Sequence, residues 1–398
     1  MIKTSEGWCI KVHKHNAQST KEKLMKHKII DHQRRPAKSG EHVIFPIIDE
    51  APDRVEDIIR IEYYLIKDAC PRNERIKGDL PSQLKGILPA TLLKLVPKSF
   101  NIVGDIAIIE LDEDLLEYKE EIAKRIKRLH PHLKSIYQRG SKRTGEYRTR
   151  DLQIIWGEDN SITIHKENGC KFRIDVKDLF FDPRLSEEHS RIVDEIKNNW
   201  AGNKNKPYFI LDLFCGAGPF VVPLAKLKNV QIHCLDLNPV AIQLLRENLD
   251  LNNIDRKKVT CVVEDARKYL TSHSSNDSIK IHFSEIILNL PSKAHMFLDK
   301  LKPLMNITTT TRIFWYTIAP EFTEKKHAEQ ISIENALELI ESAIKPEPEE
   351  TISKISIEGL KKVKNLGWII EKITRVKPYA PYKYIYCFTL VHYPQNKG

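Results

Sequence analysis

The segment Asp212-Leu213-Phe214-Cys215-Gly216-Ala217-Gly218-Pro219 stands where an apolar run, Phe209 to Leu213, gives way to a helical pattern. Gly216 and Gly218 let the backbone approach a ligand that a Cβ would push away. Val221 occupies the place of the third glycine of a pyrophosphate fingerprint, which disfavours a dinucleotide. Asp236 closes the next apolar run, where a carboxylate can accept from both hydroxyls of a ribose. Asp265, just past Val259 to Val263, is placed to face an adenine amino group. Acids and a glycine pair at successive strand ends suit a nucleoside without phosphate, and S-adenosylmethionine, cationic at sulfur, is such a ligand. Taken singly, each has a plainer explanation: turn glycines, and an aspartate capping the next helix. The joint spacing is what points to a donor site. Asn289, in Asn289-Leu290-Pro291, ends a fourth apolar run, and its side-chain amide can both donate to and accept from a heteroaromatic edge.

These residues need a sheet to align them. From about residue 180 the order is strand, helix, strand, helix, repeated, which implies a parallel sheet with helices on both faces and ligands at the carboxyl ends of the strands. The fold class is thus α/β: a Rossmann-like domain over residues 179–398. A middle α+β domain over 73–178 has one buried strand, Ile102 to Leu111, a helix from Leu115 to Leu129, and a hairpin around Asn168-Gly169. Residues 1–72 form a small αβ module with strands at Trp8 to Val12 and His42 to Ile47 and helices at Ser19 to His27 and Val55 to Ile66. The charged, Pro- and Gly-punctuated stretch from Cys70 to Pro81 reads as a linker, and Lys345 to Glu350 as a loop.

The chain has 398 residues, enough for two or three domains, with 41% hydrophobic residues, which excludes wholesale disorder. Lys and Arg number 64 against 54 Asp and Glu, a net charge of +10 that suits a polyanionic partner. Much of the excess lies in Lys124-Arg125, Lys127-Arg128, Lys134, Arg139, Lys142-Arg143, Arg148 and Arg150, with Tyr137 and Tyr147 interleaved, a pattern of phosphate contacts and stacking surfaces for a folded RNA. Seven scattered cysteines without a CxxC pair indicate neither a disulfide framework nor a metal site. No window approaches the roughly 18 unbroken apolar residues of a membrane span. A cytoplasmic monomer is expected.

The ordered motifs Val96-Pro97-Lys98-Ser99-Phe100, Gly145-Glu146-Tyr147-Arg148-Thr149-Arg150, Ile164-His165-Lys166-Glu167-Asn168-Gly169, Phe181-Asp182-Pro183-Arg184-Leu185-Ser186-Glu187-Glu188, Asp236-Leu237-Asn238-Pro239 and Asn289-Leu290-Pro291 resemble the archaeal and eukaryotic tRNA guanine-37 N1-methyltransferase family over nearly the whole chain. The resemblance implies methyl transfer from S-adenosylmethionine to N1 of the guanine 3′ of the anticodon. It implies Glu188 as general base, Arg148 as the group that stabilises the reacting guanine and Asn289 as its positioning partner. The implied donor site comprises Asp212, Phe214, Gly216, Gly218, Asp236, Asn238, Asp265, Asn289 and Pro291, with no metal. It also implies that the first module, with Lys11, His13, Lys14 and His15, grips the outer corner of the tRNA. Two positions depart from the pattern: Asp182 stands where Ser is usual, and Tyr382 follows Ala380-Pro381 where Arg is frequent.

The chemistry calls for such groups. Neutral guanine carries a proton on N1, so a base must remove it before the lone pair can attack, and positioned proton transfer is worth roughly 10²- to 10⁴-fold. Charge then grows on O6, which a forked guanidinium such as that of Arg148 meets better than an ammonium. His189 is a weaker candidate base, more in keeping with a surface or capping role, and Cys215 inside the glycine turn is better suited to packing than to nucleophilic attack. Alternatives are a bifunctional or related wybutosine-pathway tRNA transferase using the same donor, and a catalytically silent RNA-binding protein.

Overall fold

The computed structural model describes residues 4–71, 78–140, 151–201, 207–275, 281–305, 310–320, 336–337 and 350–393. The chain divides into two compact units, Met1–Asp79 and Leu80–Gly398.

In the first unit, β1 (Thr4–His13), α1 (Ala17–Lys26), β2 (Ala37–Ser39), β3 (His42–Pro46), α2 (Val55–Ile58) and β4 (Tyr64–Pro71) build a four-stranded sheet in the order β2-β3-β1-β4. Ile10, Val12, Leu24, Phe45 and Val55 form its core. The helix expected from Val55 to Ile66 lasts a single turn. Ile59 is already extended, and Tyr64 to Pro71 is recruited as a strand by antiparallel pairing with β1. Long-range pairing here overrides local helical spacing.

The second unit begins with α3 (Leu80–Gln83), then β5 (Asn101–Val103), β6 (Ile106–Ile109), α4 (Lys119–Leu129), β7 (Ser135–Arg139) and β8 (Leu152–Gly157), whose strands pair in numerical order. The single strand expected from Ile102 to Leu111 is a tight hairpin instead. Gly104 turns the chain at φ +57°, and a Cβ there would lie 2.1 Å from Thr163 Oγ1. Next, β9 (Ile162–Glu167) and β10 (Cys170–Asp175) form the hairpin marked by Asn168-Gly169, both in the left-handed region at φ +48° and +71°.

The remaining elements are α5 (Ser186–Ala201), β11 (Tyr208–Asp212), α6 (Val221–Leu224), β12 (Val230–Asp236), α7 (Pro239–Leu251), β13 (Val259–Val263), α8 (Ala266–Ser275), β14 (Glu285–Leu288), β15 (Thr311–Pro320), α9 (Glu350–Asn365), β16 (Ile369–Ala380) and β17 (Lys383–His392). They make one seven-stranded sheet in the order β13-β12-β11-β14-β15-β17-β16, parallel from β13 to β15 with β17 antiparallel. Because strand side chains alternate, Ile210, Ile287, Phe314 and Tyr316 pack on one face with α5 and α7, while Leu211, Ile286, Ile313 and Trp315 pack on the other with α8 and α9.

The domain boundaries expected at 72/73 and 178/179 differ from this division. Residue 72 lies outside the described residues, and the first unit runs on to Asp79. No separate unit begins at 179, because Val103, Tyr137, Phe172 and Ile174 share one hydrophobic cluster with Ile192, Ile210 and Leu245. The side chain of Asn248 on α7 locks the two parts together: it accepts from Arg173 N at 2.6 Å and donates to Arg173 O at 3.2 Å and to Ala217 O at 3.1 Å.

Candidate active site

Strand order reverses around β11, which pairs in parallel with β12 on one side and β14 on the other, and that is where a crevice opens at the carboxyl ends of a doubly wound sheet. A cavity of about 330 Å³ lies there, lined among others by Phe214, Pro219, Asp236, Asn238, Asp265 and Asn289. Four of the residues expected from sequence at three strand ends and the first loop therefore share one wall system.

The glycine loop is held from below. Gly216, at φ +52°, donates its N–H to Asp236 Oδ2 at 2.9 Å, and Asn238 N donates to Asp236 Oδ1 at 2.9 Å. A Cβ on Gly218 would meet Leu245 Cδ1 at 2.4 Å, so close packing of loop on α7 requires glycine. Neither glycine reaches the cavity wall, and neither does Pro291. Asp236 does not cap α7. That cap is Asn238, whose Oδ1 accepts from Val240 N at 3.0 Å while its Nδ2 donates to Asp178 O at 2.7 Å. Burial raises the proton affinity of Asp236, against the pull of its backbone N–H donors. Asp212 lies beneath the loop, fully buried: Oδ1 accepts from Phe214 N at 3.2 Å, Oδ2 has no partner among the described residues, and desolvation pushes the carboxyl up to about 7. Asp265 is engaged by Arg267, which donates from its backbone N at 2.7 Å and its Nη2 at 2.6 Å and holds the carboxyl below its usual range.

Glu188 sits in the first turn of α5, 8% exposed, beside rather than on the cavity wall. His189, expected at the surface or in a cap, is instead buried against the cavity, with Nδ1 2.7 Å from Glu167 Oε1 and its ring edge-on to Phe220. Burial pushes Glu167 up, but the nearby imidazoles, His165 at 3.7 Å from Oε2 and the hydrogen-bonded His189, outweigh it and hold the carboxyl low. Cys215 is buried in the core, where desolvation raises its thiol to about 12, so it is no nucleophile. Arg148, with Lys142, Arg143, Tyr147 and Arg150, lies outside the described residues, as do Lys345 to Glu349.

The TRM5/TYW2 methyltransferase domain matches residues 163–351, the TYW2 N-terminal domain residues 80–160, and the tRNA methyltransferase 5 N-terminal domain residues 9–56. The chain carries the methyltransferase domain of the TRM5/TYW2 family. It is similar to the tRNA (guanine(37)-N(1))-methyltransferase Trm5b of Pyrococcus abyssi, 37% identical over 234 residues that make up 59% of this chain and 64% of that relative. The Trm5b of Methanocaldococcus jannaschii is 29% identical over 320 residues, 79% of this chain and 87% of the relative. The crystal structure of wild-type Trm5b from P. abyssi superposes with a TM-score of 0.60 at 26% identity, covering 97% of this chain and 99% of that one. The tRNA m1G37 members are the ones the sequence motifs resemble.

Against that family pattern, Asp182 in place of Ser still caps the 3-10 turn Pro183–Leu185, accepting from Arg184 N at 3.1 Å. It adds a buried charge, to which Arg184 donates at 2.9 Å and Lys377 of β16 also donates. Burial opposes ionisation, yet these two cations hold Asp182 far below the usual carboxylate range. Tyr382 is at the tip of the β16–β17 turn, 84% exposed at φ +57°. One expectation about the basic stretch is corrected, that of Tyr137 as a stacking surface. It is fully buried and donates to Asp159 Oδ1 at 2.8 Å, so it offers no stacking face; Arg125, Lys134 and Arg139 form ion pairs with Glu121, Asp105 and Glu110. Sequence reasoning missed Phe180, Phe297 and Lys293 on the cavity wall; only the Phe180-Phe181 pair ahead of α5 carried a signal.

Proposed function

We propose that this chain transfers a methyl group from S-adenosylmethionine to N1 of guanosine 37 in tRNA. The observation that carries the reading is the cavity at the carboxyl ends of β11, β12 and β14, with Asp236, Asp265 and Asn289 on its wall, in a chain that carries the TRM5/TYW2 methyltransferase domain. The residues present fit the donor. Asp236 is fixed by two backbone N–H groups, which leaves a lone pair on each oxygen for ribose hydroxyls. Asp212, behind the cavity wall, keeps a carboxylate oxygen without a partner among the described residues, and a volume of about 330 Å³ suits a small ligand. When bound, the donor supplies an electrophilic methyl on a positively charged sulfur.

Each side chain then has a task. Glu188 takes the proton from guanine N1, Arg148 meets the charge that develops on O6, and Asn289, at the end of β14 on the cavity wall, orients the base edge. Phe214 and Pro219 wall the nucleoside from water, and Asp265 faces its base. The partner is tRNA, bound by a chain of net charge +10, and the first unit would hold a second part of it. The chain acts as a monomer in the reducing cytoplasm, a reading supported by its seven unbridged thiols and tested by sedimentation.

A second reading is favoured by the match of residues 80–160 to the TYW2 N-terminal domain: transfer of the aminocarboxypropyl group of the same donor. One experiment separates them. Single-turnover reaction with labelled donor on tRNA transcripts bearing guanosine or adenosine at position 37, followed by nuclease mapping and mass spectrometry, should give 1-methylguanosine that disappears with adenosine. A heavier adduct would select the second reading, and RNA binding without transfer would reject both.

A further inference from the structure

Glu188 is not a loose carboxylate. Its Oε1 accepts from Arg191 Nη2 at 2.7 Å and from the Tyr316 hydroxyl at 2.7 Å, and its Oε2 accepts from Arg191 Nε at 2.7 Å. Arg191 uses its remaining arm, Nη1, to donate to Glu195 Oε2 at 2.9 Å. Residues 188, 191 and 195 thus line one face of α5 with alternating charge, while Tyr316 reaches in from β15 and is 1% exposed.

We propose that Arg191, Tyr316 and Glu195 are positioning residues for Glu188: the first two aim and hold its carboxylate, and Glu195 keeps Arg191 paired once Glu188 has taken a proton. The inference rests on the reading of Glu188 as the base. Oε2 receives one hydrogen bond where Oε1 receives two, so Oε2 keeps the lone pair that can form the new O–H bond. The N1–H bond of guanine breaks, its electron pair stays on N1, and the proton moves to Glu188. That step removes the counter-charge of a guanidinium whose side chain is only 23% exposed, a costly state unless a second carboxylate is in place. Glu195 is that carboxylate. Arg191 gives up no proton, and Tyr316 stays a donor because burial, then Cys387 and Glu188, push its phenol well up.

Among the described residues, the titratable groups facing this cluster include Cys387 of β17, whose buried thiol is pushed up, Lys372 of β16, 3.9 Å from Glu195, and Glu285 of β14, whose carboxyl feels the charge of Glu195. A clamp that merely pinned α5 to the sheet would alter folding and leave the pH dependence of the chemical step in place.

Single-turnover rates at saturating tRNA and donor, measured across pH for the full chain and for Tyr316→Phe, Glu195→Gln and Glu188→Gln, test the proposal. Tyr316→Phe removes one donor to the ionised carboxylate and little volume, so the acid limb of its profile should move up by about one pH unit with donor affinity unchanged. Glu195→Gln should slow the step about tenfold with the same donor affinity. A Tyr316→Phe profile superimposed on that of the wild type, or a Glu195→Gln rate equal to it, would overturn the positioning roles while a slow Glu188→Gln left the base intact. Glu188→Gln at the wild-type rate would remove the base and the positioning roles together.

Discussion

Asp236 and Asp212 lie at the ends of neighbouring strands, yet their environments give them different work. Asp236 is oriented by Gly216 N and Asn238 N, so its oxygens face the cavity in one fixed pose. Asp236→Ala should weaken donor binding about 10- to 100-fold in titration calorimetry, the worth of hydrogen bonds to a charged group. Equal affinity would remove its ribose role. Asp212, raised to about 7 by desolvation, is partly protonated at neutral pH in the free protein. A cation bound nearby favours its ionised form, so donor binding near pH 6 should release a proton. Calorimetry in buffers of different ionisation enthalpy would detect that proton, and Asp212→Asn should abolish it. The residue-level motif was legible because a nucleoside site needs acids at fixed strand ends. The bond from Tyr316 to Glu188 spans 128 residues, and no local spacing announces it.

At the scale of elements, the start of α5 depends on β16 through Asp182. Lys377→Met would leave that buried carboxylate with Arg184 alone and should destabilise the fold on the order of 3 kcal/mol by denaturant titration at neutral pH. Asp182 is held below its unfolded value of 3.8, so the stability it contributes is present above that pH and is lost as the pH falls. The penalty of the variant should shrink in acid. Four of the five parallel strands, β11 to β14, were readable because each is a run of four to seven residues closed by a polar turn, whereas the ten-residue β15 was not read from the sequence. Val55 to Ile66 misled because its apolar spacing fits a helix, while the strand from Tyr64 is stabilised by a partner, β1, more than fifty residues away. Ile102 to Leu111 misled because the turn at Gly104 is enforced from outside, by Thr163.

At the scale of the molecule, a buried liability is Glu285, on the central strand of the sheet between Tyr208 and Asn199. Desolvation raises it to about 8, although Tyr208 and Arg312 pull the other way. A carboxyl raised above its unfolded value of 4.5 contributes stability below that pH and loses it as the pH climbs through about 8. Glu285→Gln should therefore melt at a higher temperature than the wild type at pH 9, with the difference vanishing near pH 4. Equal melting at both pH values would show that the carboxylate is compensated when ionised. Among the described residues no helix is long and apolar enough to cross a membrane.

The single cluster that joins Val103 and Phe172 to Ile210 and Leu245 also constrains how such a chain can be recombined. A gene exchange cut after Asp79 would keep the cluster of Ile10, Phe45 and Val55 together, since all three lie in one hydrophobic cluster of the first unit. A cut near residue 178 would instead pair half of one interior with a stranger's half, and every side chain across the seam would have to be matched anew. Inheritance of the hairpin β9–β10 and of the sheet it rests on is thereby linked, and the two halves must vary in concert.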